Sequence, residues 1–579
     1  MNEPASTYAK NKSFTDRMFR RLFWPTVVSA FGLALGDIAD ALFVGIRIGK
    51  IGLATMSLVA PVYMFYNVLD IGIAVGTSVH YTRALGKGKV KQGITVFSNM
   101  LMFALLVSVV IAAAGFLLMP YILNMLGAGA PEGELWNYTK DYLQIMFLGA
   151  PVTFLFFLLY YCVRCDDNEK LASIGYVVGY VTDISASALF ILVFKLDVRG
   201  AILATVLGKT VGILVFSLHF TRKWAILRFR PSKPDIKLVL SVLKTGMSSS
   251  VGYIGQFVAL IIVNNLLLNL GGEGALAQMN IVQNVSYVAF AIYIALGDTA
   301  QPLCGTFFAE HNKDAVKRVM TLAIGIGAAA GAAISVLFAF FAPYVCALFG
   351  LTGDVASGGA FAVRLFCLSV IPAGLSIIWS SCFPAIGRES IVFLINQLRN
   401  FICFVVFALI LSLFGIDWFW LAFCGAELGA LAVWIPVCRI KRKPSADVVF
   451  SYLLDNDSTN IADLLGKTEA FCEENGSTPK QIYYVTMCVE EVCQAIIENA
   501  FRQNGDVYIQ LTVCIEKDGT TVLHIRDNAV NFNPFDMKTG RDYEDEENLA
   551  SLGIQMVKAK SKLFFYRRYA GFNTLTVEV

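Results

Sequence analysis

Acidic side chains inside apolar segments are the residues of this chain best placed to do chemistry. Asp37 and Asp40 stand three residues apart on one face of the first such segment, Asp183 lies in the fifth, and Asp70, Asp298 and Glu427 fall in others. An ionised carboxylate is costly in a hydrocarbon core, so an acid kept there is a functional suspect by default. A carboxyl removed from water favours its neutral form, and a second carboxylate nearby adds to that preference. Such a group can take a proton on one side of a membrane and release it on the other. The competing reading, a structural partner for some buried polar group, applies first to Asp70, Asp298 and Glu427, for which no matching partner is evident.

Positioning these acids requires membrane-spanning helices, and the composition supplies them. Of 579 residues, 56% are hydrophobic and only 15% charged, which excludes a chain that is soluble throughout. Twelve apolar spans can be centred near Ala34, Tyr66, Val109, Phe154, Ile184, Leu207, Val258, Ile292, Ala330, Pro372, Phe404 and Cys424, each long enough for a core of about 30 Å. The polar, basic lead Met1–Arg21 enters the first span without a cleavage-site pattern. Lysine and arginine gather there, at Arg83/Lys91, at Arg164/Lys170, from Arg222 to Lys237, at Lys313/Arg318, at Arg388 and from Arg439 to Lys443. These are alternate loops, so both termini are expected in the cytosol. Trp24, Trp136, Trp224 and Trp418 read as interface anchors, and some of Tyr63, Phe65, Tyr66, Tyr253, Phe257, Tyr287 and Tyr293 can line a cavity and stack on a flat cation, each worth roughly 0.5–2 kcal/mol. The 13 cysteines are odd in number and scattered, which fits reduced thiols, and Cys162-Val-Arg-Cys165 reads as a helix end.

The apolar part repeats itself. Leu53-Ala-Thr-Met-Ser-Leu-Val59 matches Leu276-Ala-Gln-Met-Asn-Ile-Val282, and Pro151 and Pro372 fall in the fourth span of each half. Six spans per repeat give both halves the same orientation, related by an axis along the membrane normal with a cavity between them. The reading is therefore a polytopic α-helical membrane protein of twelve helices in two pseudo-symmetric six-helix bundles, residues 1–230 and 231–444. A cytosolic α/β two-layer sandwich follows at 445–579.

Asp37-Ile-Ala-Asp-Ala-Leu-Phe-Val-Gly45, Gly72-Ile-Ala-Val-Gly76, Ala84-Leu-Gly-Lys-Gly88, Leu243-Lys-Thr-Gly246, Gln301-Pro302 and Phe383-Pro-Ala-Ile-Gly387 occur in order. With Pro25, Trp420 and Glu427 they resemble the multidrug and toxic compound extrusion (MATE) family over roughly residues 15 to 440. Ser248 stands where the family usually has proline, and Ala309-Glu-His-Asn312 replaces its second Gly-rich loop. The resemblance implies export of organic cations or metabolites driven by inward H⁺ or Na⁺, with Asp40 and Asp183 as the coupling acids and Asp37 beside them. The seventh span offers Gln256, Asn264, Asn265 and Asn269 but no acid, so coupling is assigned to the N-terminal lobe.

Beyond Ser445 the pattern changes to a helix near Gln481–Arg502, strands over Val507–Ile515 and Thr521–Asp527, a helix near Leu552–Ser561 and two last strands. Glu490-Glu-Val-Cys-Gln-Ala-Ile-Ile-Glu-Asn-Ala500, Asp527-Asn-Ala-Val-Asn531 and Ser551-Leu-Gly-Ile-Gln555 resemble the ATP-binding domain of histidine kinases and anti-sigma factors. That likeness implies nucleotide contacts from Glu491, Asn499, Asp527 and Gly553, under a lid at Gly540–Glu547. It also shows departures. Ala495 stands at the Mg²⁺-binding Asn position and has no oxygen to offer a hard cation, and Ala529 and Asn531 replace glycines. ATPase or kinase activity is not expected, and ATP is not required, since phosphoryl transfer depends on the metal. The sequence thus reads as a secondary antiporter rather than an enzyme, in the cell membrane, needing no cofactor beyond its coupling ion. Its partners would be lipid, a small organic cation or metabolite and a cytosolic regulatory protein, with no nucleic acid. The alternative is a receptor on a transporter fold, signalling through the tail. A lipid-precursor flippase would call for a cluster of cationic residues within the spans, which is not evident.

Overall fold

A backbone in lipid has no hydrogen-bond partner but itself, and the apolar runs of this chain accordingly fold as helices. The computed structural model describes residues 5–579 apart from 87–89, 130, 132, 167, 223–224, 226, 231–234, 251, 310–311, 387–388, 440–447, 455–459, 501–507, 517–518, 531, 537–545 and 570–571. Some further side chains within helices, Asp37 among them, lie outside the described set. The N-terminal lobe comprises α1 (Ala5–Ile48), α2 (Lys50–Gly86), α3 (Val90–Leu117), α4 (Met119–Leu126), α5 (Glu134–Leu148), α6 (Ala150–Cys165), α7 (Glu169–Ser187) and α8 (Asp197–Ser217). The second lobe comprises α9 (Ile236–Ser250), α10 (Gly252–Ala309), α11 (Lys313–Leu348), α12 (Gly353–Ala385), α13 (Glu389–Gln397), α14 (Phe404–Ser412), α15 (Ile416–Phe419) and α16 (Ala422–Arg439). Widened π turns at Ala188–Val193 and Leu398–Cys403 extend α7 and α13.

Among the described residues nine helices are long and apolar enough to cross a membrane, ten if α5 and α6, bent by 52°, form one span. That is fewer than the twelve expected. One reason is α10, which runs unbroken by hydrogen-bond pattern but changes direction at Gly272, where φ 61° and ψ −149° suit only glycine. Its two halves occupy the positions of the spans centred on Val258 and Ile292. Another is α1, which is not among the nine. Trp24 and Trp418 are exposed as interface anchors would be, but Trp136 is buried in the helical core, and Trp224 lies outside the described residues.

The lobes meet along α2. Toward the tail side, Gly72 and Gly76 face Val242 and Gly246 of α9 so closely that a Cβ on Gly246 would fall on the Gly72 carbonyl oxygen. Nearby, His80 Nε2 and the Thr245 hydroxyl are 3.0 Å apart. Toward the far side, Asn264 donates to the Ser57 carbonyl at 2.8 Å and Asn265 to the Met125 carbonyl at 2.9 Å. A bidentate pair from Arg318 of α11 to Asp16 of α1, at 2.8 and 2.6 Å, adds a tail-side tie.

The tail-side ends of the N-terminal lobe are tied at Asp166, which caps α6. Its carboxylate accepts from the Tyr81 hydroxyl (2.6 Å), His219 Nε2 (2.7 Å) and the Leu227 amide (2.9 Å). Asn168 Nδ2 donates to His219 Nδ1 at 3.0 Å, which leaves Nε2–H to donate to Asp166.

After α16 the chain forms β1 (Val448–Leu454), α17 (Asn460–Glu474), α18 (Pro479–Ala500), β2 (Ile509–Ile515), β3 (Thr521–Asp527), α19 (Glu546–Lys560), β4 (Leu563–Tyr569) and β5 (Phe572–Glu578). The strands make one antiparallel sheet in the order β1-β2-β3-β5-β4. β1 and α17 are additions to the pattern read from the sequence. β1, apolar at every position but Ser451, lies beside the basic junction without the alternation that marks a strand. Side chains at odd positions of β2, β3 and β5, such as Leu511, Leu523, Ile525 and Leu575, form a core with Val489, Val492 and Ile496 of α18 and Ile554 of α19.

The opposite face of the sheet carries polar and aromatic residues, and it rests on the helical lobes. Arg17 of α1 lies over Tyr508 (5.4 Å to the ring centre) and Arg21 over Phe572 (5.3 Å), while Arg526 lies over Phe307 of α10 (5.2 Å). Arg526 and Gln510 are buried there and bonded to each other at 3.3 Å.

Candidate functional site

Between the lobes is a cavity of about 520 Å³. α1 contributes Asp40, α2 contributes Tyr63, Tyr66, Asn67 and Asp70, α7 contributes Tyr176, Tyr180 and Asp183, α8 contributes Thr205 and Lys209, and α10 contributes Gln283, Asn284 and Tyr287. Asp40 accepts hydrogen bonds on both oxygens, from the Ser187 hydroxyl and from the Thr205 hydroxyl at 3.2 Å. Asp183 precedes Ser187 by one helical turn, so both side chains point the same way from α7. The π turn that starts immediately after Ser187 is a kind of irregularity common at functional sites.

The structure therefore brings Asp40 and Asp183 to one cavity, whereas the Asp37 side chain lies outside the described residues. Asp298 is exposed and does not line this cavity, and Glu427 pairs with Arg399 in the other lobe. Two charged residues join the site that the sequence reading did not place there. Asp70 is buried, accepts from the Ile71 amide at 2.6 Å, and leaves Oδ2 without a hydrogen-bond partner. Lys209 donates to Thr153 Oγ1 at 3.2 Å and stands 5.8 Å from the Phe157 ring centre. A lone lysine inside the apolar run from Ala201 to Ser217 was the available signal. Of the aromatic candidates, Tyr63, Tyr66, Tyr253 and Tyr287 line the cavity, Phe65 and Phe257 pack on each other at 5.8 Å, and Tyr293 is a core residue. The Tyr63 and Tyr142 hydroxyls are 2.7 Å apart, so the cavity wall presents a fixed polar strip beside aromatic faces. Carboxylates, hydroxyls and rings in one chamber of this volume can hold a small cation and a flat organic one.

In the tail, Glu491 and Gly553 are in contact, since a Cβ on Gly553 would overlap the Glu491 carboxylate. Burial, then the neighbouring Glu490 and Glu498, pushes the Glu491 carboxyl above its usual range. Asn499 donates to the Ala495 carbonyl of its own helix at 2.9 Å. Asp527 is buried, and its Oδ1 accepts from Asn573 Nδ2 at 2.7 Å and from the Ala529 amide at 2.9 Å. Residues 540–545 of the expected lid lie outside the described residues.

Comparison with known proteins agrees with this architecture. The MatE family profile matches residues 25–189 and again 248–411, two segments whose starts are displaced by 223 residues, as the repeat in the sequence is. The multidrug export protein MepA of Staphylococcus haemolyticus (strain JCSC1435) is 23% identical over 404 residues, spanning 68% of this chain and 86% of its own. MepA of Staphylococcus aureus (strain MSSA476) is 23% identical over 436 residues, spanning 73% and 93%. A solved structure described as the inward-facing conformation of a multidrug resistance MATE family transporter of the MOP superfamily superposes with a TM-score of 0.65 at 21% identity, over 70% of this chain and 93% of that one. One described as the outward-facing conformation of such a transporter gives 0.56 at 21% identity, over 74% and 95%. The chain belongs to the MatE family: it is a multi-pass membrane transporter of the secondary type and not an enzyme.

Proposed function

We propose that the chain is a cation-coupled antiporter that exports organic cations, drugs or metabolites by alternating access, with H⁺ or Na⁺ carried at Asp40 and Asp183. The observation that carries this reading is the cavity itself, in which Asp40, held by two hydroxyl groups, shares a wall with Asp183 and a set of tyrosine rings. Asp40 links α1 to α7 and α8 through those hydroxyls. Loading a proton on Asp40 removes the charge that draws both donors in, so ion binding is coupled to how these three helices pack.

The tail is proposed as a regulatory module derived from the histidine-kinase and anti-sigma type of ATP-binding domain and reduced in its nucleotide chemistry. Supporting this, Asp527 already has its donors in Asn573 and the Ala529 amide, and Asn499 bonds its own helix, so the side chains such a domain would turn toward a nucleotide are engaged within the protein. Its cytosolic partner would be a protein bound away from the face that rests on the lobes.

The test is uptake of a fluorescent organic cation, ethidium, into inverted vesicles under an imposed pH or Na⁺ gradient. Wild type should concentrate the dye under one of the two gradients, and Asp40→Asn and Asp183→Asn should lower that uptake by about tenfold or more. Undiminished gradient-driven uptake by Asp40→Asn would refute the coupling role.

A further inference from the structure

Off the central cavity opens a second one of about 190 Å³ in the C-terminal lobe, sharing Met64 and Gln283 with the first. Phe290, Phe366, Phe404 and Phe423 give its walls aromatic faces, between aliphatic residues and the polar Gln256, Ser286 and Asn400. Against these rings stand Arg399 and Glu427, which the coupling site does not use. Arg399 Nε donates to Glu427 Oε1 at 2.5 Å, and the two side chains are only 11% and 10% exposed.

This pair is incomplete in a particular way. Glu427 Oε2 is buried, and the one hydroxyl within its reach, that of Ser376, is directed to the Pro372 carbonyl at 3.0 Å and would have to turn to serve it. The guanidinium uses Nε alone, so among the described residues its two Nη groups make no hydrogen bond. An ion pair that only fastened helices together would be expected to saturate both partners, because unsatisfied charged groups away from water are costly. Here a planar fork of N–H donors remains, on a residue that lines the cavity and sits in the widened turn Leu398–Cys403. That fork matches the two oxygens of a carboxylate, and the surrounding rings match an aromatic body.

We propose that this pocket is a substrate subsite for the carboxylate of an aromatic zwitterion, bound by the Nη face of Arg399. The inference rests on the export reading above and adds a substrate class to it. A lone anion would leave the neutral Arg399–Glu427 pair with an uncompensated charge, whereas a zwitterion brings its own cation. That cation goes to the acids of the central cavity, reached past Met64 and Gln283. An organic cation without a carboxylate needs neither Arg399 nor the fork.

The test compares rhodamine 110, a zwitterion, with its methyl ester rhodamine 123, a cation of nearly the same shape. Binding of each to the purified full-length protein is read by fluorescence polarisation, which requires no ion gradient. Failure of the antiport reading therefore leaves this experiment intact. In the charge-balanced variant Arg399→Gln/Glu427→Gln, the Kd for rhodamine 110 should rise by about tenfold or more while that for rhodamine 123 stays within about twofold. Equal weakening of both dyes, or of neither, overturns the proposal. Arg399→Lys carries the same test if the double variant does not fold, because it keeps the charge and loses the fork: rhodamine 110 should again weaken selectively, and an unchanged ratio of the two affinities overturns the proposal.

Discussion

Replacing Asp166 by alanine should loosen the tail-side end of the N-terminal lobe. The side chain is buried and accepts from Tyr81, His219 and the Leu227 amide at 2.6, 2.7 and 2.9 Å, so two stretches far from it in sequence, at 81 and at 219–227, converge on two oxygens. A hydrogen bond to a charged group is worth about 1.5–3 kcal/mol net, and orphaning the partners of a buried ionic group costs about 3–5 kcal/mol in all. Asp166→Asn keeps the shape but turns an amide donor toward another donor, so about 1–3 kcal/mol is expected. The pH dependence has a definite sign. Burial alone would push the Asp166 carboxyl up, but the bonds from His219, Tyr81 and Leu227 outweigh it and hold the group below the usual carboxylate range. A carboxyl lowered in the folded state contributes stability above its unfolded pKa and loses that contribution as pH falls through the folded value. Thermal unfolding of the detergent-solubilised protein should therefore show a wide gap in Tm between wild type and Asp166→Ala near neutral pH, closing as pH drops below about 4. Equal Tm values at neutral pH, or a gap that widens in acid, would refute the reasoning.

Three further outcomes follow from other contacts. Gly246→Val places a branched side chain against the Gly72 backbone, so transport should fall by about tenfold or more and the lobes should splay on the tail side, read as loss of cross-linking between cysteines introduced at 80 and 245, whose native side chains meet at 3.0 Å. Arg526→Ala removes the cation over Phe307 and the partner of Gln510, a loss of about 1–3 kcal/mol at a buried site, and limited proteolysis should then release the tail faster than from wild type. Full-length protein given Mg·ATP should show no hydrolysis above that of Glu491→Gln, and Glu491-dependent turnover measured by phosphate release would contradict the reading of Ala495 and Ala529.

What could be seen in the sequence was mostly what lipid demands. Asp40 and Asp183 stood out because an acid in an apolar run has no ordinary explanation, and the two spans now joined in α10 were separable because the apolar run was too long for one crossing. What was missed depends on rotation and packing. Asp70 was grouped with the structural acids because nothing in its neighbours says which side of α2 faces the cavity. Lys209 and Arg399 passed unnoticed because single bases do not make the cationic cluster that was sought, although each turns out to line a chamber. β1 escaped because it is apolar on successive residues, and it is defined by its pairing with β2, more than 50 positions later.

The docking of the sheet onto two lobes at once would, under the regulatory role proposed for the tail, tie it to the state of the cavity. Arg17 and Arg21 hold it to α1, and Phe307 holds it to α10, so any movement that parts those helix ends must also strip the sheet from one of them. Coupling of this kind is reciprocal. A cytosolic protein that prefers the undocked tail would alter affinity for cargo, and cargo would alter affinity for that protein by the same factor. With the tail in the cytosol, as proposed, the amount of it on offer would become a readout of how many transporters are loaded.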